Sequence, residues 1–291
     1  MDEEVVKKAD VLVEAYPYIR QYRDKIFVIK FGGSIFRLTQ IKENILKDIA
    51  FLEAVGVKTL LVCGGGPFIN EEMEKRGKQP KFVEGIRITD EETLAIVKEI
   101  LFGIRDNLVK YLRDYLEVKD ADALLPEEKA IIAREIHYQQ GEKIINLGFV
   151  GQIASVNSQY IEQRLEKHRV LVVAPVMSSE GNILYNINGD SVASGLAGAV
   201  KAEKLIFLTD VLGVMRNPEN PETLISVLKH SEVEGLIASK VIKAGMIPKV
   251  SSGISAIKQG VKKVHIVSGN IQHSIILEVF TEHGVGTEII N

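Results

Sequence analysis

A single cysteine, Cys63, stands in a chain of 291 residues. It rules out an internal disulfide and a cysteine-built zinc site, and it fits a reducing compartment. Long apolar runs are missing too, since none approaches the roughly 18 residues that a membrane-spanning helix needs. The opening "MDEEVVKKAD" is acidic and holds no apolar core of the signal-peptide kind. The expectation is a cytoplasmic protein with no membrane association. Neither sign of charge dominates: a net charge of −3 leaves no basic excess with which to grip nucleic acid. The six histidines fall at no ligand-like spacing, so no transition-metal site is expected.

Common nucleotide and hydrolase motifs are also lacking. There is no G-x-x-x-x-G-K-[ST], which excludes a P-loop. No G-x-G-x-x-G follows a strand, which weakens a dinucleotide site. The protein-kinase signatures, H-E-x-x-H and G-x-S-x-G are absent.

What is present is glycine at the ends of strands. "KIFVIKF" (25–31) reads as a buried strand, and Gly32-Gly33 follow it. "VKTLLVC" (57–63) is a second, ending in Gly64, Gly65 and Gly66. "RVLVVAPV" (169–176), "EKLIFLTD" (203–210) and "KKVHIVSG" (262–269) are three more. Helical patterns separate them at 40–56, 67–77, 190–202 and 249–260, the first with Ile41, Ile45, Ile49 and Leu52 on one face. Such alternation predicts an α/β fold around a mostly parallel sheet covered on both faces. Ligands of open α/β sheets sit beyond the carboxyl ends of the strands, where these glycines lie. A stretch at 118–147 reads as a polar, hairpin-like excursion from the sheet. At the N-terminus Val5, Ala9, Leu12, Tyr16 and Ile19 form a narrow helical stripe, with Pro17 placed to kink it. That helix lies either on its own domain or on a partner subunit.

Cations complete the pattern. Lys30 closes the first strand. Arg87 precedes a helix capped by Thr89 or Asp90. Lys249 follows Pro248 at a helix start, where the helix dipole disfavours a cation unless an anion binds there as well. In "YNINGD" (185–190), Asn186, Asn188 and Asp190 alternate on an extended tip, and Asp190 reads as the N-cap of the next helix. Asn186 would bind a polar ligand, and Asp190 would hold lysines in place.

These stretches identify a resemblance. "VIKFGGS", "LLVCGGGPFINEEMEKRG", "EGIRITDEETLAIV", "LGFVGQI", "YNINGD", "AEKLIFLTDVLGV", "GMIPKV" and "HIVSGNIQHSIILEVFTEHGVGTEI" are collinear. Together they resemble the amino acid kinase family, and within it the acetylglutamate kinases. The resemblance implies a three-layer sandwich around a mostly parallel open sheet. It implies an N-terminal kinked helix for oligomerisation (1–24), an acceptor lobe (25–176) and an ATP-binding lobe (177–291). The implied reaction carries the γ-phosphoryl of ATP, used with Mg²⁺, to the side-chain carboxylate of N-acetyl-L-glutamate. By motif position Lys30, Lys249 and Asp190 are catalytic. Gly64, Gly65, Arg87 and Asn186 bind the acceptor, Arg87 and Asn186 through its α-carboxylate. Gly32, Gly33, Thr209, Asp210 and Gly213 handle phosphate and nucleotide. The glycines offer backbone N–H groups, and no metal-ligating side chain is implied. The N-terminal stretch is similar to that of arginine-inhibited members, which assemble from dimers into hexamers. This implies a homodimer or hexamer and an arginine effector, for which Tyr22, His273 and Glu282 are candidates. The chain departs from the family pattern at Ser34, Cys63, Arg105, Asp106 and "SGN" (268–270). Two further readings stay open: a kinase of this fold acting on another small acidic acceptor such as an aminoadipate derivative, or a non-catalytic arginine-sensing or scaffold subunit.

Overall fold

The structure is a computed structural model that describes residues 3–33, 35, 39–140, 143–243, 245–282 and 284–291. Ser34, one of the departures above, lies outside these residues.

The first half of the chain runs α1 (Glu3–Tyr22), β1 (Ile26–Phe31), α2 (Thr39–Ala54), β2 (Lys58–Cys63), α3 (Gly66–Lys75), β3 (Phe82–Val83), β4 (Ile86–Arg87) and α4 (Glu91–Tyr115). Next come β5 (Asp122–Leu124), β6 (Ile131–Glu135), β7 (Tyr138–Gln140), β8 (Lys143–Ile145), β9 (Gly151–Val156) and α5 (Ser158–Lys167). The second half holds β10 (Val170–Val173), β11 (Val176–Ser178), β12 (Leu184–Asn186), α6 (Gly189–Ala199), β13 (Lys204–Thr209), β14 (Val227–Lys229) and α7 (Val233–Ala238). It closes with α8 (Ile247–Lys258), β15 (Lys263–Ser268), α9 (Ser274–Phe280) and β16 (Thr287–Ile290).

An eight-stranded sheet in the order β14-β16-β15-β13-β1-β2-β10-β5 forms the middle layer. It is parallel throughout except where β15 meets β16. The two-residue period of a strand sends its side chains to two cores. Val28, Leu60, Leu205 and Phe207 join the core beneath α5, α6 and α8. Phe27, Ile29, Phe31 and Leu61 join the one beneath α2, α4 and α9. Fully burying each such side chain stabilises the fold by about 1.5–3 kcal/mol, so both cores fix the register. Lys30 shares its face with Val28 and therefore emerges at the tip of β1 on the α6 and α8 side.

Two local expectations change. The run 169–176 breaks at Pro175: β10 stays in the main sheet, while β11 enters a smaller sheet of order β12-β11-β6-β9. A proline has no N–H for the ladder, so the strand cannot continue through it. Residues 118–147 are only partly an excursion, because Asp122–Leu124 add the edge strand β5 beside β10. Helix α1 runs on through Pro17. Its end docks, with Tyr22 against Phe27 and Phe280, while Leu12 and Tyr16 of the expected stripe are 69% and 61% exposed.

Candidate active site

Four neighbouring parallel strands, β15, β13, β1 and β2, end on the same edge of the sheet. Beyond them lies a cavity of about 370 Å³, lined among others by Lys30, Gly32, Gly33, Gly64, Gly65, Arg87, Asn186, Gly189, Thr209, Asp210 and Lys249. That volume suits a small metabolite and the end of a nucleotide.

Two glycine turns pack against each other here. A Cβ on Gly64 would lie 3.1 Å from the Gly33 nitrogen and 3.2 Å from the Phe31 oxygen, and one on Gly33 would lie 2.9 Å from Pro67 Cδ. Side chains would force the strand ends apart. The N–H of Gly64 does not serve a ligand, because it donates to the Phe31 carbonyl at 2.8 Å. The first turn of α3 opens on this tip as well, with Gly65 as its N-cap and no side chain capping it. A helix start with unpaired N–H groups favours an anion.

On the other rim, Asp190 bridges two lysines. Its Oδ1 lies 2.8 Å from Lys30 Nζ and its Oδ2 lies 3.0 Å from Lys249 Nζ. Burial pushes the Asp190 carboxyl up, but the two ammonium groups more than offset this and hold it below the ordinary aspartate value. Burial lowers the Lys30 ammonium, with Lys249 adding to the effect and Asp190 opposing it. Asp190 is not the N-cap that the sequence pattern suggests. Asn188 caps α6, its side-chain oxygen accepting from the Asp190 and Ser191 amides at 2.8 and 3.1 Å. The Asp190 carboxylate is thereby left to the lysines. Gly189 leaves room for Lys30, whose Cε would lie 3.4 Å from an added Cβ. Lys249 sits in the first turn of α8, after Pro248, as read from the sequence.

Opposite, Arg87 is 8% exposed. Its guanidinium donates to Asn70 Oδ1 at 2.5 Å and stacks over Phe82 at 4.8 Å. Burial lowers its pKa. Among the described residues no carboxylate pairs with Arg87, so a buried cation faces the cavity with only neutral partners. Asp90, not Thr89, caps α4, accepting from the Thr93 amide at 2.9 Å.

Thr209 and Asp210 close the cavity at the end of β13, with Thr209 Oγ1 donating to Asp210 Oδ1 at 3.1 Å. Gly213 is not brought to this cavity: it packs on β16, where an added Cβ would lie 2.6 Å from Thr287 Oγ1. Sequence reasoning missed Asn70 and the contribution of Phe82. Nothing in the sequence signals either, because both are defined by what they touch.

Those departures from the family pattern that lie among the described residues fall outside the cavity wall. Cys63 is buried, and burial pushes its thiol up to about 12, so it is inert. Arg105 stacks on Phe102 at 4.6 Å and pairs with Asp106 at 2.7 Å. Ser268, Gly269 and Asn270 do not line the cavity either.

A second cavity of about 400 Å³ opens between α1, α9 and the edge of the sheet. Tyr22 and Glu282 line it, together with Tyr18, Lys204, His265, Glu278 and Glu288. Lys204 meets His265 Nε2 at 2.9 Å, and Glu278 meets His265 Nδ1 at 2.7 Å. Burial, aided by Lys263, lowers Lys204 to about 8. His273 does not join Tyr22 and Glu282, since it pairs with the buried Asp48 at 2.6 Å.

Helix-opening amides, a pair of lysines tied by one carboxylate and an arginine across the cleft give this sheet edge the chemistry of an anion site. Comparisons with known proteins place the chain in a family. Residues 25–268 match the Amino acid kinase family, and the chain belongs to that family. It is 43% identical over 294 residues to an acetylglutamate kinase of Methanocaldococcus jannaschii, covering 98% of this chain and 97% of that protein. It is also 43% identical over 296 residues to an acetylglutamate kinase of Aquifex aeolicus, covering 98% of each. Among solved structures, an N-acetylglutamate synthase of Neisseria gonorrhoeae complexed with coenzyme A and N-acetyl-glutamate superposes with a TM-score of 0.86 at 25% identity. That match covers 97% of this chain and spans 63% of the synthase. Among the described residues, no helix is long and apolar enough to cross a membrane.

Proposed function

We propose that the chain is an acetylglutamate kinase, an ATP-dependent carboxylate kinase of arginine biosynthesis. It moves the γ-phosphoryl of ATP to the side-chain carboxylate of N-acetyl-L-glutamate. The observation that carries this reading is the placement of Lys30, Asp190 and Lys249 on one rim and unpaired Arg87 on the other. The near-full-length relatives of that name support it.

A carboxylate is already a nucleophile, so the step needs no catalytic base. The obstacle is repulsion. Like charges about 4 Å apart repel by about 4 kcal/mol at an effective dielectric of about 20. Arg87 takes the α-carboxylate, and Asn186 lies at the same end. The side-chain carboxylate then points toward the glycine turns. Its oxygen attacks the γ-phosphorus in line as the bond to the β,γ-bridging oxygen breaks. ADP leaves with that bond's electron pair, and the product is an acyl phosphate. Lys30 and Lys249 stand where charge spreads over the transferring group, with Asp190 fixing both ammonium groups. The amides that open α3 complete the cradle. Residues up to 176 hold most of the acceptor and residues from 177 most of the nucleotide, with Asn186 crossing that division. The chemistry that Mg²⁺ would supply, arriving with the nucleotide, is neutralisation of phosphate charge. The residues present fit such a guest ion, since Asp190 is committed to its lysines and Mg²⁺ is held largely through phosphate oxygens and water.

Cavity acids near a free α-ammonium would favour unacylated glutamate. Asp190 is neutralised by its lysines, so the acceptor end around Arg87 offers no such partner. The aminoadipate and scaffold readings are not favoured, because the near-full-length relatives are acetylglutamate kinases and the lysine pair is intact.

The second cavity suits arginine as an effector: Glu278, Glu282 and Glu288 match a guanidinium, and Lys204 matches a carboxylate. The exposed Val11, Leu12, Val13 and Tyr16 of α1 offer an apolar face for a second copy of the chain.

The test is trapping of the acyl phosphate as a hydroxamate with N-acetyl-L-glutamate, N-acetyl-L-aminoadipate and glutamate as acceptors. Product is expected with N-acetyl-L-glutamate far above the other two. Equal or greater turnover of another acceptor contradicts the reading.

A further inference from the structure

We propose that Ser194 is a positioning residue: its hydroxyl pins α8 to α6 one turn beyond the Lys249–Asp190 pair, and so fixes where the Lys249 ammonium stands at the cavity. The inference rests on the reading of Lys249 as a cation of phosphoryl transfer, and adds to it a residue that does not line the cavity.

Both helices start at the cavity, where Gly189 and Lys249 line it, and α6 and α8 run away from it in the same direction. Residues four apart on a helix share a face. On α6, Asp190, Ser194 and Gly198 share one, and each meets α8 at a different height. At the cavity, Asp190 Oδ2 lies 3.0 Å from Lys249 Nζ. One turn on, Ser194 Oγ donates to the Ser252 carbonyl at 2.6 Å. A turn further, Gly198 leaves room for Gln259 at the end of α8, whose Cβ would lie 2.8 Å from an added Cβ. Ser194 is buried. Among the described residues, its bond and the Lys249–Asp190 contact are the side-chain hydrogen bonds that join the two helices.

The three contacts constrain α8 differently. The Lys249 stem is four carbons long and flexible, so Asp190 can keep the ammonium while α8 slides or rolls beneath it. The contact at Gly198 is packing, which has no direction. The middle contact is directional, since a hydrogen bond weakens steeply with angle. Its acceptor is backbone, so it holds the helix itself and not a side chain with rotamers of its own. A serine within a helix commonly bonds back to a carbonyl of its own preceding turn; Ser194 reaches across instead. The start of α8 has no side-chain cap to hold it. The Ser194 hydroxyl therefore sets the height of α8, and with it the place of the Lys249 ammonium.

The experiment measures kcat, both KM values and thermal melting for Ser194→Ala, which loses the hydroxyl and keeps a good helix former. It is made in the otherwise wild-type enzyme and in a Lys249→Ala background. In the first, kcat should fall by about three- to tenfold, the worth of one net hydrogen bond. The KM values for ATP and for N-acetyl-L-glutamate should not change, as for an interaction needed only in the transition state. Ser194→Cys, a weaker donor of similar size, should fall between Ser194→Ala and wild type. In the Lys249→Ala background the same change should leave kcat alone, because the group that Ser194 positions is gone. A Ser194→Ala enzyme that melts lower but keeps the wild-type kcat overturns the inference, and this arm decides even where Lys249→Ala turns over too slowly to measure. An equal loss of kcat in both backgrounds overturns it as well. A wild type that forms no acyl phosphate from N-acetyl-L-glutamate is a different failure, that of the acceptor reading itself.

Discussion

Replacing Asp190 by asparagine keeps the shape of the rim and removes the negative charge that bridges Lys30 and Lys249. The structure says how large the effect should be. Two charge-assisted contacts, at 2.8 and 3.0 Å, are lost together. Breaking a buried ion pair by removing one partner destabilises by about 3–5 kcal/mol, because the other charge stays buried. Part of that cost lowers the melting temperature. The rest falls on protonation. Burial already lowers Lys30, and Asp190 is the group that opposes it. Without Asp190 the Lys30 pKa drops further, and a lysine is a cation only below its pKa. Loss of the positive charge therefore moves to lower pH, so the variant should lose activity as pH rises and regain part of it on acidification. At neutral pH the loss of ordered positive charge in the transition state should reduce kcat by about 10²–10³. The assay is hydroxamate formation from pH 6 to 9, with urea melts beside it. A variant whose kcat stays within about threefold of wild type, against the 10² expected from lost electrostatic preorganisation, would refute the reasoning. So would activity that climbs with pH relative to wild type.

Three other perturbations have outcomes fixed by the geometry. Arg87→Leu removes the unpaired cation, and the KM for the acceptor should rise by about 10- to 100-fold with little change in the KM for ATP, as for a lost charged hydrogen bond; steady-state kinetics with each substrate varied would expose an equal rise in both. In wild type, burial pushes the Asp48 carboxyl up to about 6 from 3.8, so the folded state holds a proton that the unfolded state has released between those values. This contribution to stability falls as pH rises through that window, by up to about 3 kcal/mol for a shift of two units. Asp48→Asn removes it, and the variant should gain on wild type from pH 4 to 6 in urea melts; a constant difference would contradict the assignment. Gly148→Ala meets both a left-handed backbone and the Thr89 carbonyl, and should destabilise the fold by more than about 1 kcal/mol, with thermal melting as the check.

Much of this site was legible before any coordinates. The strand ends carry glycine because two turns must touch there, and touching turns leave a local signature. Lys30 could be placed because a two-residue period assigns it to the face of Val28. Lys249 could be placed because proline marks the start of a helix. What the sequence concealed depends on partners far along the chain. The bond from Asn186 to Thr89 spans 97 residues, and no periodicity connects them. Asp190 looked like a cap because aspartate commonly caps, yet Asn188 sits two residues earlier with the same ability, and only the path of the backbone chooses between them. Residues 122–124 are a strand only because β10 lies alongside. Gly213 carries the composition of a ligand loop, but its contacts are with Thr287 and Leu224. His273 lies close in sequence to the second cavity, and Asp48 draws it away.

The central claim is that lysines and backbone amides gathered at one sheet edge let two acids meet in line, so that an acceptor oxygen becomes the bridging oxygen of the product. N-acetyl-L-glutamate labelled with ¹⁸O in its side-chain carboxylate, incubated with Mg-ATP and followed by ³¹P NMR, tests this directly. The account predicts an acyl-phosphate signal carrying the isotope shift of one bridging ¹⁸O. An unshifted signal, or ADP formation that proceeds equally without the acceptor, would contradict it.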